Sequence, residues 1–178
     1  MLSIDTCRTS SMSPELRSEV LDMCNVAFGQ PVDAFFRILP PDGLHLLGRE
    51  DGKLVAHLVI TDRCFRPEGG PNLRTAFIDA VATLPDFRRR GFAGALLKRA
   101  VELCGARFDL LALFMTSPEL YTRYGFVKWH GRLSNEKESG VGVEVSPGQG
   151  SLMVRVTNMS VLPDFSKPMT SNWRQAGV

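Results

Sequence analysis

The sequence has few of the features that mark disulfide-rich, zinc-binding, secreted or membrane proteins. Only four cysteines occur in 178 residues, and none belongs to a Cys-x-x-Cys pair: Cys7, Cys24, Cys64 and Cys104. This spacing argues against a disulfide scaffold and against a zinc site. No stretch reaches the ~20 apolar residues of a membrane-spanning helix, and Met1–Met12 lack the basic and apolar segments of a signal peptide. We therefore expect a cytoplasmic protein without a metal.

Charge of one sign is also scarce. Lysine and arginine together number 21, aspartate and glutamate 19, and the net charge is +2. Such a balance creates no broad field that would attract a nucleic acid or a membrane. No aromatic residue is interleaved within the run Arg88–Arg90 and no wider basic stripe accompanies it, so nucleic acid is not a predicted partner. With 44% apolar and 22% charged residues, the composition predicts one globular domain over residues 1–178.

What the sequence does contain is an alternation of helix and strand patterns. Ser13-Pro14-Glu15 predicts the start of a helix, and Gly29 predicts its end. Asp51-Gly52 between two apolar runs predicts a hairpin. Further helices are expected at 32–39, 91–105 and 117–125, and further strands at 74–84, 108–114, 126–129 and 152–156. Residues 131–150 are expected to be a loop or a pair of exposed strands, and the chain after Pro163 to be irregular. This order predicts an α/β or α+β domain.

The most informative segment is a strand, a turn and a helix between Phe77 and Gly94. The strand ends at Leu84-Pro85 and is followed by the arginines of the turn. Small residues occupy the start of the helix: Gly91, Ala93 and Gly94. A helix N-terminus offers unpaired N–H groups and a partial positive charge, and arginines add donors for phosphate oxygens. The segment therefore predicts a pyrophosphate site. The alternative is a solvated loop in which the glycines only aid packing.

One acidic residue stands out within the strand. Asp79 is the only charged residue in the eight from Thr75 to Ala82. Because side chains alternate along a strand, Asp79 is expected to share a face with Val81 and Thr83. An unpaired carboxylate is costly to bury, so it requires a partner, a water-filled cleft or a shifted pKa. A catalytic role and a structural ion pair are the two interpretations.

Two motifs carry a resemblance to a known superfamily. Arg88-x-x-Gly91-x-Ala93 resembles the Arg/Gln-x-x-Gly-x-Gly/Ala signature of the GNAT N-acetyltransferases, and Leu120–Phe126 is similar to their Leu-Tyr-x-Lys/Arg-x-Gly-Phe segment. The motifs and the elements between them cover roughly residues 76 to 130. The resemblance implies a single GNAT-like domain with a central mixed, mostly antiparallel sheet flanked by helices. It also implies acetyl-coenzyme A (acetyl-CoA) as cosubstrate and an amine as acceptor.

The same resemblance implies roles for individual residues. Asp79 would act as general base on the acceptor amine through a water, and Tyr121 would protonate the leaving thiolate. The backbone at Val81 and Thr83 would pair with the pantetheine arm, and the Val81 N–H would face the thioester oxygen. The full predicted cofactor-binding set is Val81, Thr83, Arg88, Arg89, Arg90, Gly91, Phe92, Ala93 and Gly94. The amine would attack directly, without a covalent enzyme intermediate.

A narrower resemblance concerns the acceptor. Ile78–Ala82, Tyr121–Gly131 and Asn172–Arg174 look like segments of the aminoglycoside 2′-N-acetyltransferases. That family has a glutamate in place of Asp79 and ends with an aspartate and a tryptophan that help hold the aminoglycoside, whereas this chain ends Gln175–Val178. We expect a small-molecule amine, which an aminoglycoside-like compound would satisfy. A protein or peptide amine and a non-catalytic acyl-coenzyme A-binding module are the alternatives, and a homodimer is left open.

Overall fold

The structure, a computed structural model, describes residues 1–40, 42–105, 107–115, 119–136, 142–144, 150–158, 160 and 162–172. These residues form two compact units. The first contains Met1–Thr61 and Ile78–Ala100, and the second contains Asp62–Phe77 and the described part of Val101–Arg174. The expectation of one domain over residues 1–178 stays a prediction.

The first unit combines helices with an antiparallel sheet. Strand β1 pairs with β2, and β2 pairs with the beginning of β3, all antiparallel. No helix in the described part of the chain has both the length and the apolarity that crossing a membrane requires. The elements that contribute to this unit are β1 (Leu2–Arg8), α1 (Pro14–Phe28), α2 (Asp33–Ile38), β2 (Leu44–Glu50), β3 (Lys53–Pro67), β4 (Leu73–Thr83) and α3 (Phe92–Cys104).

The second unit holds the end of β3, the beginning of β4, the last turn of α3 and the remaining described elements. These are β5 (Leu110–Met115), α4 (Glu119–Thr122), β6 (Val127–Lys128), β7 (Leu133–Glu136), β8 (Gly142–Glu144), β9 (Ser151–Val156) and β10 (Met169–Asn172). Strand β5 runs parallel to β4, and β10 runs parallel to β7. The pairings β5–β9, β6–β9, β7–β8 and β3–β10 are antiparallel. The predicted mixed, mostly antiparallel α/β architecture is therefore confirmed.

Two local predictions hold in detail. The Ser13 hydroxyl accepts the Leu16 N–H at 3.2 Å and caps α1, which ends at Gly29 with φ +69°. These contacts satisfy backbone groups that a helix end would otherwise leave unpaired. Asp51 and Gly52 both have positive φ, +50° and +80°, as the two central residues of a tight hairpin turn require.

Each unit has its own apolar core. In the first, the buried face of α1 supplies Val20, Met23, Cys24 and Ala27. These side chains cluster with Val32, which precedes α2, and with Leu47, Leu54 and Ala82 of the sheet. In the second, the core comes mainly from the strands: Phe65, Leu73, Phe77, Leu110, Ala112, Trp129, Leu133, Leu152, Val154 and Met169. Burial of these side chains from water is the main force that holds each unit together.

Two strands depart from the sequence-based expectation. The chain after Pro163 was expected to be irregular, which is wrong, because Met169–Asn172 forms β10 between β3 and β7. This strand buries only Met169 and Ser171, too few residues for a hydrophobic pattern. Strand β1 lies in a segment for which no element was predicted, and it contains no buried residue. Backbone hydrogen bonds to neighbouring strands, rather than hydrophobic alternation, establish both elements.

Candidate active site

Strand β4 is kinked at the residue that follows Asp79. Ala80 has φ +49°, in the left-handed region that alanine seldom adopts. Side chains alternate regularly only where the backbone is extended throughout. The kink interrupts this alternation, so alternation no longer places Asp79 and Val81 on one face. Asp79 and Val81 are both half-buried and flank the kink.

The carboxylate of Asp79 has a polar neighbour on β3. The hydroxyl of Thr61, itself buried, donates to Asp79 Oδ2 at 3.5 Å. A partly buried carboxylate needs a polar partner, because its burial alone is costly. The Thr61 hydroxyl provides that partner. Its half-buried position leaves the carboxylate in reach of water. Its catalytic role stays a prediction.

The segment after β4 reverses direction twice before α3 begins. Pro85–Phe87 forms a single 3₁₀ turn, and then Arg89 and Gly91 have φ +61° and +83°. The Ala95 N–H donates to the Gly91 carbonyl at 2.9 Å, so the N–H groups before Ala95 lie in the turn that has no helical acceptors. Alternating backbone conformations of this kind gather N–H groups around an anion-binding concavity.

Gly91 is required by its backbone conformation rather than by packing. A Cβ built on Gly91 would meet no atom within 4 Å, so the space beside it is open. The first turn of α3 contains no acidic residue, and therefore no carboxylate of its own competes for the N–H groups. Phe92 is buried, which leaves its backbone, and not its ring, to contact a ligand at this place.

Arg88 stabilises the turn through hydrogen bonds to two backbone carbonyls. Its Nε donates to the Thr83 carbonyl at 3.3 Å and its Nη2 to the Ala27 carbonyl at 2.6 Å. Because these carbonyls end β4 and lie near the end of α1, the guanidinium ties both elements to the turn. At least two of its five N–H donors are thereby used. The expected contact of Arg88 with phosphate stays a prediction.

The other two arginines differ in availability. Arg90 forms an ion pair with Glu50, with Nη2 and Oε1 2.7 Å apart, and its guanidinium lies over the Phe92 ring at 4.9 Å from the centroid. Arg89 is exposed, and none of the residues that the structure describes forms an ion pair with it. Of the three predicted phosphate donors, Arg89 is therefore the one that has neither an ion pair nor a side-chain hydrogen bond among the described residues.

Thr83, where β4 ends, offers an unused polar atom. Its Oγ1 is buried and has no hydrogen-bond partner among the described residues. Its carbonyl accepts a hydrogen bond from Arg88 Nε. Buried hydroxyls without partners are uncommon in proteins and are often satisfied by a bound molecule or water.

Tyr121 lies on α4, in the second unit. Its side chain is 4% exposed, and its ring packs edge-on against Phe126 with centroids 6.1 Å apart. Burial, with a smaller contribution from Tyr124, raises the pKa of the Tyr121 hydroxyl to about 12. The hydroxyl therefore stays protonated near neutral pH, as a proton donor must. The packing on Phe126 equally suits a core residue, and the catalytic role stays a prediction.

The remainder of the second motif is explained by local contacts. Gly125 has φ +78°, and a Cβ on it would collide with the guanidinium of Arg155, which donates to the Tyr124 carbonyl. Both the positive φ and the nearby guanidinium therefore favour glycine at this position. Farther along, the Trp129 indole Nε1 donates to the Lys167 carbonyl at 2.9 Å. These contacts hold the segment after α4 in one conformation.

Sequence reasoning missed a pair of buried histidines in the first unit. His45 and His57 are 3% and 0% exposed, with His45 Nδ1 and His57 Nε2 2.9 Å apart. Burial lowers the pKa of His57 to about 3, with the neighbouring His45 adding to the effect. Burial and the charge of Arg17 lower the pKa of His45 to about 4. One signal was available, since His57 is the only ionisable residue in the apolar run Leu54–Ile60.

Because both buried histidines have lowered pKa values, we expect the folded protein to lose stability in acid. An unfolded histidine has a pKa of about 6.5, and the folded values are lower, so the unfolded chain binds more protons as the pH falls below 6.5. The contribution of the two neutral histidines to the free energy of unfolding is complete above pH ~6.5. It is lost towards pH ~4, at up to about 1.4 kcal/mol per histidine per pH unit. Urea unfolding from about pH 7.5 to about pH 4.5 should show this slope. The double variant His45→Asn/His57→Asn should have a shallower slope, and equal slopes would contradict the assignment.

A cavity of about 710 Å³ lies in the first unit beside these histidines. Its wall combines apolar side chains with the polar pair Thr9 and His45. A Cβ on Gly43, which also lines the cavity, would lie 3.5 Å from the Thr61 methyl group. Thr61 in turn donates to Asp79, and neither of these two residues lines the cavity itself. Charged and aromatic side chains also line the cavity: Arg17, Asp33, Phe36, Arg37 and Asp42.

Comparison of the sequence with known proteins identifies similar chains. The family model described as Acetyltransferase (GNAT) domain matches residues 8–128. The aminoglycoside 2′-N-acetyltransferase of Mycolicibacterium fortuitum is 26% identical over 141 residues, which cover 76% of this chain and 71% of that protein. The sequence match therefore extends well beyond the two short motifs.

Solved structures with the same fold include two informative examples. The GNAT family N-acetyltransferase YhbS of Escherichia coli, solved in complex with CoA, has a TM-score of 0.65 and 14% identity, with 96% of this chain and 90% of that chain covered. Eis1 of Mycobacterium abscessus has a TM-score of 0.62 and 18% identity, with 75% of this chain covered. The match spans only 33% of the Eis1 chain. With more than half of its residues matched by the family model, the chain belongs to the GNAT acetyltransferase family and is an acyltransferase.

Proposed function

We propose that this protein transfers an acetyl group from acetyl-CoA to the amine of a small molecule. The observation that carries the proposal is the open turn at Arg89–Gly91, directly before the N–H groups that begin α3. That arrangement suits a diphosphate, because backbone N–H groups and the helix dipole both favour negative charge there. Membership of the acetyltransferase family supplies the reaction class.

The residues present fit acetyl-CoA. Arg89 supplies an unpaired positive charge, the space beside Gly91 is open, and the buried Thr83 hydroxyl lacks a partner among the described residues. The backbone of Val81 and Thr83 would hold the pantetheine arm, and the N–H groups from Arg89 to Gly94 would hold the diphosphate. When bound, acetyl-CoA supplies the acetyl thioester on which the reaction depends.

Two side chains of this protein would manage protons. Asp79 would take a proton from the acceptor amine through a water, since its half-buried carboxylate on a kinked strand is accessible yet held by Thr61. Tyr121 would supply a proton to the leaving group, since burial keeps its hydroxyl protonated near neutral pH. Both steps use groups whose ordinary chemistry suits them to the task.

The cavity of the first unit supports a compact acceptor. Its volume of about 710 Å³ suits a small molecule. Two arginines line it, and of its two aspartates Asp42 is already bound by Ser10, with Oγ and Oδ1 2.5 Å apart. A polycation such as an aminoglycoside would meet both arginines with only Asp33 uncommitted among the lining carboxylates. We therefore favour a single amine on a partly apolar body, which would pack against Phe36 and its neighbours.

A screen of amines with acetyl-CoA tests this proposal by release of free thiol. The panel should contain compact monoamines with aliphatic or aromatic bodies, aminoglycosides, and peptides with free N-termini or lysines. We expect the compact monoamines to be acetylated fastest. Preference for peptides would replace the acceptor class with a protein amine. Binding of acetyl-CoA without turnover of any amine would contradict the proposed catalysis and support the alternative of a non-catalytic binding module.

Gly91→Asp should weaken acetyl-CoA binding by about tenfold or more, because it puts a carboxylate and a Cβ where the diphosphate would lie. Isothermal titration calorimetry measures the change. Gly69→Asp is the matched control, since Gly69 also has positive φ, +72°, and also has open space around its Cβ position. The control shares the backbone strain but lies in the turn between β3 and β4. Equal affinity in the two variants would remove the turn from the cofactor site.

A further inference from the structure

The kink at Ala80 is held by a hydrogen bond from a buried side chain. His57 Nδ1 lies 3.1 Å from the Ala80 carbonyl oxygen, and Ala80 has φ +49°. Alanine adopts that conformation only where its surroundings impose it. The carbonyl can only accept a hydrogen bond, so Nδ1 of His57 must carry the proton. His57 is thereby assigned as the neutral tautomer with N–H at Nδ1.

The remaining contacts of the two histidines follow from that tautomer. With Nδ1 protonated, His57 Nε2 is an acceptor, and His45 Nδ1, 2.9 Å away, must donate to it. His45 Nε2 is then an acceptor for the hydroxyl of Thr9, 3.0 Å away. The Gly43 carbonyl, which that hydroxyl also approaches, already accepts the Thr9 N–H at 2.9 Å. The hydrogen bonds therefore form a chain in which each group donates to the next, from the Thr9 hydroxyl through the two imidazole rings to the Ala80 carbonyl.

Both rings are held firmly and are neutral. Phe36 lies against each of them, at centroid distances of 6.3 Å from His45 and 5.9 Å from His57. Cys24, whose Sγ is 3.7 Å from His57 Nδ1, and Arg17, whose charge acts on His45, both come from α1. His45 also shares the cavity wall with the charged residues Asp33, Arg37 and Asp42. A positive neighbour and complete burial oppose protonation of either ring. The pair therefore acts as a fixed set of hydrogen bonds at neutral pH and carries no net charge.

Holding the Ala80 carbonyl also orients the next amide. The carbonyl of Ala80 and the N–H of Val81 belong to one planar trans peptide, as no cis peptide bond occurs in the structure. The two groups therefore point in opposite directions, and a carbonyl drawn to His57 directs the Val81 N–H away from it. Asp79 is the residue before Ala80, so the backbone conformation held at Ala80 also sets where Asp79 lies relative to Val81.

We propose that His57, supported by His45, is a positioning residue that orients the Val81 N–H and Asp79 for acetyl transfer. The proposal rests on the proposed function, in which Val81 and Asp79 serve the reaction. Neither histidine contacts the reacting groups in this role. The rings act through the Ala80–Val81 peptide, and a proton donor at Nδ1 of residue 57 is the one feature that the role requires.

Three variants of the whole 178-residue chain test the proposal with the best amine of the screen. His57→Leu removes the donor, whereas His57→Asn keeps a carboxamide N–H close to the position of Nδ1. Cys24→Ala is the matched control, because it removes a buried contact to the same ring and leaves the bond to Ala80. Circular dichroism and thermal melting establish which variants are folded at the assay temperature.

We expect kcat to fall about tenfold in His57→Leu with KM for acetyl-CoA nearly unchanged, because misplacement of a reacting group costs rate more than cofactor affinity. His57→Asn should recover most of kcat, Cys24→Ala should keep it, and the shape of the pH–rate profile should be the same in all. A folded His57→Leu variant with kcat within about twofold of wild type would overturn the proposal. Recovery no better with asparagine than with leucine would overturn it too.

A measurement independent of activity separates this proposal from the proposed function. Nitrogen-15 NMR of the imidazole rings should find both histidines neutral near pH 7, with the proton on Nδ1 and none on Nε2. Finding His57 with its proton on Nε2 would overturn the proposal whether or not an acceptor is known, and also if His57→Leu does not fold. The expected tautomers in a protein that acetylates no amine would leave the hydrogen bonds in place and contradict only the proposed function.

Discussion

Replacing Asp79 with asparagine should lower kcat by about 10²-fold or more, because an amide of the same size cannot take a proton from the acceptor amine. Asparagine can still accept the hydrogen bond from Thr61, so the local packing should survive. Part of the lost rate should return at high pH, where the acceptor is already a free amine. Steady-state kinetics across pH, with acetyl-CoA saturating, measure both effects.

Asp62→Asn is a suitable control for this change. Asp62 follows Thr61 on β3 and forms a surface ion pair with Arg74, with Oδ2 and Nη2 2.8 Å apart. Its substitution removes the same charge from an exposed pair, which contributes little to stability. We expect it to leave kcat nearly unchanged. If Asp79→Asn melts earlier but keeps wild-type kcat and an unchanged pH–rate profile, Asp79 has a structural role and no part in proton transfer.

Tyr121→Phe should lower kcat on the order of 10²-fold while leaving acetyl-CoA affinity almost intact. Phenylalanine preserves the edge-on packing against Phe126 and removes only the hydroxyl. With a pKa near 12 in the folded protein, that hydroxyl is protonated throughout the usual assay range. Turnover by thiol release and affinity by calorimetry separate the two quantities.

The second tyrosine of the sequence provides the control. Tyr124 lies three residues after Tyr121, and its ring is half-buried beside the Arg123 guanidinium. Tyr124→Phe removes a hydroxyl from the same segment, and we expect kcat within about twofold of wild type. Equal turnover in Tyr121→Phe and wild type would assign Tyr121 to the core of the second unit, where its packing on Phe126 would be its whole contribution.

The parts of the site that depend on neighbours in sequence could be predicted. The turn at 88–91 needs a residue with positive φ directly before α3, and Gly91 supplies it. Gly125 serves the turn after α4 in the same way. Such requirements are local, because steric limits on φ act within a residue and its neighbours. Motif spacing is therefore informative about backbone shape.

The use that each side chain makes of its charge was not predictable. Arg88 and Arg90 belong to one run of arginines, yet Arg88 binds the Thr83 and Ala27 carbonyls and Arg90 pairs with Glu50. These partners lie up to 61 positions away along the chain. A pattern that assigns all three arginines to phosphate treats them as equal, whereas the structure leaves only Arg89 uncommitted among the described residues.

By itself, the sequence indicated the family, through the resemblance of two motifs, and the mixed α/β fold, through the short-range periodicity of helices and strands. The tertiary structure alone decided the kink at Ala80, the strand at Met169–Asn172 and the hydrogen-bonded pair His45 and His57. Each of these depends on a hydrogen bond between residues distant in sequence. Such bonds leave no periodic signal, since a buried carbonyl or imidazole takes whichever partner the folded chain brings within about 3 Å.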